Sequence, residues 1–169
     1  MHWILGTHDN QGRPFAIVDK KAAQLRIHAA DGHLIGSTPV LLGLAPGDQA
    51  IAGIAQRAPS SLRPAERTTP AGRFESRPGR NLHGEDIVWI DYAASLAIHR
   101  LRPSPAQERR AQRLASAAPD DNRISLGCVV VPVAFYERVV APVLGRERAV
   151  VYVLPEEQPV LGFFEAQSL

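Results

Sequence analysis

Arg123-Ile-Ser-Leu-Gly-Cys-Val-Val-Val-Pro132 is the stretch on which the reading of the chain turns. It holds the only cysteine of the protein, led by Ser125 and Gly127 and followed by a β-branched run that suits a strand. Pro132 opens a helix predicted over 132–144, where Phe135, Val139, Val140 and Val143 have the spacing of a buried face. A cysteine at a strand end, beside a glycine that lets a substrate approach the backbone, suits a nucleophile better than a core thiol. Upstream, Leu96-Ala-Ile-His99 ends another apolar strand in a histidine. An imidazole within reach of a thiol can take its proton and later return it to a leaving amine. The backbone N–H groups of Gly127 and Cys128 are the natural donors to the resulting oxyanion. A buried structural cysteine and a core-packed histidine account for the same residues. On these residues alone both readings stay open.

Outward from this stretch, the chain reads as short strands with Gly/Pro turns. Phe15–Asp19 is apolar, and Gln24–His28 alternates with period two. Asp31-Gly32 marks a hairpin turn into a strand over Leu34–Leu42, with Pro39 favouring an edge or a bulge. His28 and His33 flank that turn and read as exposed hairpin residues rather than metal ligands. From Gly43 to Glu66 small residues and proline dominate, predicting a long connection of the kind that borders a binding site. Thr68–Phe74 leads into a strand, and Arg77-Pro-Gly-Arg80 reads as a turn. Strands follow over Asp86–Asp91, Ala94–His99 and Arg148–Leu154, and the tail adds the apolar stretch Val160–Phe164. Ser104-Pro-Ala-Gln107 has the signature of a helix start, predicting a surface helix over 104–117 with Arg109, Arg110 and Arg113 exposed.

The 169 residues read as one domain, 1–169, with ordinary apolar content and a net charge of only +2. No basic run is interleaved with aromatics, so nucleic acid is not an expected partner. A single cysteine excludes an internal disulfide and a multi-thiolate zinc site, and no metal or cofactor is expected. No apolar stretch approaches the length of a membrane span. Met1–Gly6 lacks the features of a signal peptide, so the protein is either cytoplasmic or has lost an export signal.

Thr69-Pro-Ala-Gly-Arg-Phe74, Ala97-Ile-His-Arg100 and Arg123-Ile-Ser-Leu-Gly-Cys128 occur in the order found in bacterial L,D-transpeptidases of the YkuD type. The chain resembles that family from about Phe15 to about Val153. The resemblance implies a mostly β, YkuD-like β-sandwich of mixed sheets, with a helix after the cysteine and the 104–117 helix as a surface insertion. It implies a thioester on Cys128, formed on peptidoglycan tetrapeptide stems with release of D-Ala. His99 is then the base, oriented through a backbone carbonyl, and the protein works in the periplasm or at the cell wall. Where the family commonly has histidine and a polar residue, this chain has Leu126 and Val130. Arg123 or Arg100 is expected to replace the missing polar group as a carboxylate binder, while Tyr92 adds a hydroxyl and Ser125 supports the turn. With water as acceptor the same site gives an L,D-carboxypeptidase or a stem-cleaving hydrolase, as a cell-wall toxin would be. A wall-binding domain that has lost catalysis is the non-enzymatic alternative. A sortase leaves the Thr-Pro-Ala-Gly-Arg-Phe strand unexplained.

Overall fold

Alternating and β-branched segments carry most of the chain into strands in the computed structural model, which describes residues 1–167. In chain order the strands are β1 (Phe15–Asp19), β2 (Gln24–His28), β3 (Leu34–Pro39), β4 (Leu42–Gly43), β5 (Gly72–Arg80), β6 (Asp86–Asp91), β7 (Leu96–Arg100), β8 (Arg123–Ser125), β9 (Val129–Val131) and β10 (Ala149–Val153). Eight of them form a mixed sheet in the order β3-β2-β1-β10-β5-β6-β7-β9, while β4 and β8 pair separately. The β1–β10 and β7–β9 pairs are parallel, and the other pairs of the large sheet are antiparallel. The turn after β2 contains Gly32 at a φ of 91°, a conformation that glycine adopts without strain.

The long strand β5 joins two half-sheets. Gly72–Ser76 pairs with β10, and Arg77–Arg80 pairs with β6. The expected turn at Arg77–Arg80 is therefore a continuation of the strand. Beyond Ser76 the β10 side of β5 is open, which gives Pro78 a place without a backbone donor.

Four helical segments cover the sheet: α1 (His2–Thr7), α2 (Arg110–Leu114), α3 (133–143) and α4 (Val160–Gln167). Helix α3 is the one expected after the cysteine. It widens into a π turn at Tyr136–Val140, just ahead of Pro142, whose missing N–H interrupts the regular ladder. Tyr136, Val140 and Leu144 seat it against Val18, Leu25, Val88, Ile98, Val129 and Val151 on one face of the sheet. Against the opposite face, α1 and α4 bury Ile4 and Phe164 on Phe15, Ile17, Val150 and Tyr152. The residues of β10 are buried throughout because both faces of this central strand are covered.

The surface helix is shorter than expected. A 3₁₀ turn at Ala106–Glu108 runs into Arg109, whose φ of 49° stops it, and α2 has only five residues. Its Leu114 packs on Leu41 and Val130. His28 also departs from expectation, being buried at 5% exposure. Its ring stacks on Phe15 at 5.0 Å, and Nδ1–H donates to the Gly32 carbonyl at 3.0 Å. The reason is its face: His28 pairs with Phe15 on the side of the sheet that the terminal helices cover. His33 is exposed, as expected.

Candidate active site

The register of β7 against β9 sets the geometry. Ile98 pairs with Val129 and His99 with Val130, so one step back along the ladder lies Ala97 beside Cys128. Ile98, Val129 and Val131 face the core under α3. Side chains alternate along a strand, so Ala97, His99, Cys128 and Val130 share the opposite face. Among the described residues no hydrogen bond joins Cys128 to His99: the sulfur is directed at the Ser95 carbonyl and His99 Nδ1 at the Arg100 carbonyl.

The turn before Cys128 is held from several directions. Ser125 Oγ donates to the Cys128 carbonyl at 2.7 Å and accepts the Gly127 N–H at 3.1 Å. Gly127 has a φ of 140°, and a Cβ there would lie 2.7 Å from the Thr68 carbonyl oxygen. Buried Thr69 bridges outward, donating from Oγ1 to the Gly127 carbonyl at 2.7 Å and accepting the Gly43 N–H at 2.9 Å. The Thr-Pro-Ala-Gly-Arg-Phe segment and the Ser-Leu-Gly-Cys segment thus meet through the Thr69 hydroxyl and the Gly127 carbonyl.

Behind Thr69 lies Lys20, 1% exposed. Its ammonium donates to the Gly47 carbonyl at 2.6 Å, Asp48 Oδ1 at 2.7 Å and the Thr69 carbonyl at 3.0 Å. Glu156 Oε1 lies 3.3 Å from the same nitrogen. Asp48 also accepts the N–H groups of Glu156 and Glu157, each at 2.9 Å. Burial works to raise the Asp48 pKa, but the Lys20 bond and those N–H groups outweigh it and hold it below the ordinary value. Glu156 is likewise held low: burial opposes, and Arg123, the Gly47 N–H and Lys20 prevail.

Cys128 is partly exposed and lines a cavity of about 190 Å³. The walls include Leu126, Gly127, Ser95, Thr68, Pro70 and Arg57. The thiol approaches the Ser95 carbonyl at 3.5 Å, and Ser95 itself has a φ of 50°. Burial raises the Cys128 pKa, with the Ala97 N–H and the charge of Arg102 acting weakly in the other direction. His99 is 8% exposed. Burial pushes its pKa down to about 4, against a bond from Nδ1–H to the Arg100 carbonyl at 2.8 Å. A carbonyl only accepts, so this bond fixes the proton on Nδ1 and leaves the Nε2 lone pair available. At neutral pH the site holds a neutral thiol and a neutral imidazole.

The expected binding residues lie elsewhere. Arg123 pairs with Glu156 and donates to the Lys20 carbonyl, which makes it part of the buried ion cluster rather than a carboxylate binder at the cavity. Arg100 sits 4.5 Å over the Tyr136 ring and faces Glu85 and Glu137. Tyr92 is 73% exposed and outside the cavity wall. Gly127 keeps its place beside the sulfur, but its N–H is engaged by Ser125 and does not join the Cys128 N–H as a free donor. Val130, where a polar residue was missed, is buried under Leu114 of the insertion.

Arg57, Ser95 and the Lys20 cluster escaped the sequence reading. The connection over 43–66 supplies Arg57, and it does border the cavity, through residues of the 3₁₀ turns at Ile54–Gln56 and Pro59–Ser61. Arg57 grips Glu66 through both carboxylate oxygens, at 2.9 and 3.0 Å. With Arg63 it holds the Glu66 carboxyl well below the usual range.

No protein-family model and no curated protein matches the sequence. Among solved structures the chain is similar to the helical cell shape determining protein Pgp2 from Campylobacter jejuni, with 17% identity and a TM-score of 0.55, over 86% of this chain and 49% of that one. It therefore spans about half the length of Pgp2. It is also similar to the catalytic domain of the E. faecium L,D-transpeptidase, with 19% identity and a TM-score of 0.48, over 85% of this chain and 98% of that one. For an L,D-transpeptidase from Mycobacterium smegmatis the identity is 13% and the TM-score 0.48, over 83% and 58% of the two chains. Such identities speak for the fold alone. The mostly β architecture expected from the sequence, with a helix after the cysteine, is the one the chain adopts, and the fold is similar to that of Pgp2.

Proposed function

We propose that the chain is a peptidoglycan L,D-transpeptidase that acts at the cell wall through a thioester on Cys128. The observation carrying this reading is the β7–β9 register, with a sulfur and an imidazole on one sheet face and the sulfur at the wall of a cavity. The Cys128 sulfur attacks the carbonyl between the diamino acid and D-Ala of a tetrapeptide stem. Its proton passes to Nε2 of His99 as the S–C bond forms. The Cys128 N–H stabilises the oxyanion, while Ser125, Gly127 and Thr69 hold the turn. When the oxyanion collapses the C–N bond breaks, and His99 delivers the proton to the departing amine of D-Ala. A stem amine then gives a proton to His99, attacks the thioester and regenerates the thiol. With water in place of that amine, the products are a tripeptide stem and free enzyme.

Intact-protein mass after carbapenem exposure tests the thiol, with Cys128→Ala as control. A covalent adduct that vanishes in the control is the expected result. Incubation with tetrapeptide muropeptides then separates the acceptors, cross-linked dimers reporting transfer and tripeptides reporting hydrolysis. A second reading, a wall-binding domain without catalysis, draws on the raised Cys128 pKa. Unmodified protein and unchanged muropeptides would establish that reading instead.

A further inference from the structure

The sheet face that carries Cys128 continues past the cavity. Arg77 of β5 pairs with Trp89 of β6, and Trp89 pairs with Ala97 of β7, the neighbour of Cys128. Adjacent strands lie about 4.8 Å apart, so the Trp89 and Cys128 backbones are separated by roughly 10 Å along one row. Val88 and Ile90 face the core, which leaves Trp89 on the row with the cysteine, while Asp91 follows across a register shift opposite Leu96.

This part of the face is open. A groove of about 470 Å³ runs over Arg73, Glu75, Arg77, Trp89, Asp91 and Tyr92. It is bounded on one side by the terminal helices on β1 and β10, and on the other by the hairpin turn that brings Ala94 and Ser95 to the cavity. The Trp89 indole lies against Gly79, where a Cβ would come within 2.5 Å of its Cδ1, so the absent side chain lets the ring settle flat on the strand. Tyr92, 73% exposed, packs edge to face against it at 5.0 Å.

The chemistry of the groove selects its ligand. Two guanidinium and two carboxylate side chains line it, a balance that favours neither a polyanion nor a polycation. Among the described residues, Arg77 has no side-chain hydrogen bond or ion pair, so its donors are available. Aromatic rings give an apolar surface to the C–H face of a sugar, and interspersed donors and acceptors suit its hydroxyls and amides. We propose that the Trp89–Tyr92 groove is a saccharide subsite that holds the glycan strand bearing the stem peptide, beside Cys128. This rests on the proposed activity for its biological ligand, and on the groove alone for its chemistry.

Chitotetraose, an uncharged oligomer of N-acetylglucosamine, is the probe for binding. The Trp89 indole N–H resonance, assigned through Trp89→Phe, is expected to shift on titration while that of Trp3 stays in place. Tyr92→Ala is expected to weaken the titration at least fivefold. Turnover on intact sacculi relative to a glycan-free tetrapeptide is expected to fall at least tenfold in Trp89→Ala and severalfold in Tyr92→Ala, the latter a fully surface change. An unmoved Trp89 resonance, or equal losses on both substrates in a folded variant, would overturn the subsite. If the wild-type protein processes neither substrate, the proposed activity fails, and the titration still decides whether the groove binds saccharide.

Discussion

Two polar regions of this protein are built on opposite plans. Around Lys20, ammonium, carboxylates and guanidinium are matched with one another and with main-chain groups: Lys20 meets oxygen from Gly47, Asp48, Thr69 and Glu156. Around Cys128 the partners are sparse. His99 uses Nδ1 on a carbonyl, and the sulfur has a long contact to another carbonyl. The first region spends its polar groups on connecting distant parts of the chain. The second leaves a thiol at the wall of a cavity and a buried imidazole lone pair on the same sheet face, and a group that retains an unspent bond is one that can react.

Separate substitutions sharpen the contrast. His99→Gln is expected to slow acylation of Cys128 by about 10²–10⁴-fold, the usual worth of a general base, as read by adduct mass against time. The same change should flatten the acid side of the stability curve. The His99 pKa is about 4 in the folded protein and 6.5 in the unfolded chain. Between those values the unfolded chain binds the extra proton, so stability falls as pH drops through that window, by roughly 3 kcal/mol in all. Buried His28, also shifted downward by burial, contributes with the same sign. Urea titrations at pH 7 and pH 4.5 measure the difference, and an unchanged difference in His99→Gln would break the link to this residue.

Lys20→Met leaves Asp48 and Glu156 without their shared cation. A loss of about 3–5 kcal/mol in unfolding free energy is expected from denaturant titration. Arg123→Ala removes one partner of Glu156 and is expected to cost ~1.5–3 kcal/mol. If activity is present, its KM for diamino-acid stems should stay within twofold of wild type, because Arg123 faces the cluster and not the cavity. A raised KM with unchanged stability would restore it to the substrate side.

The parts of this arrangement visible in the sequence are those encoded locally. β2 showed itself by alternation, β6 by its apolar run, α3 by apolar spacing, and the Gly-Cys turn by its composition. Thr69 sat in a recognisable segment, although its bridge to Gly127 spans 58 residues and has no local signature. Lys20 could not be paired with Asp48 and Glu156 from spacing, since those partners meet only through tertiary structure. The same holds for Arg123, whose position beside the cysteine in sequence suggested a role at the site while its side chain turned away. At six residues α1 is too short to display a helical period, and β5 concealed its continuation behind a Pro-Gly pair.

The contact of the Cys128 thiol with the Ser95 carbonyl bears on the chemical durability of the protein. Peroxide converts thiolates, not thiols, to sulfenic acid. A sulfur kept protonated by its surroundings, with its hydrogen directed at a main-chain oxygen, is a poor target for oxidants until a ligand draws that hydrogen toward nitrogen. Arming the sulfur only on demand would let it persist where a standing thiolate would be consumed.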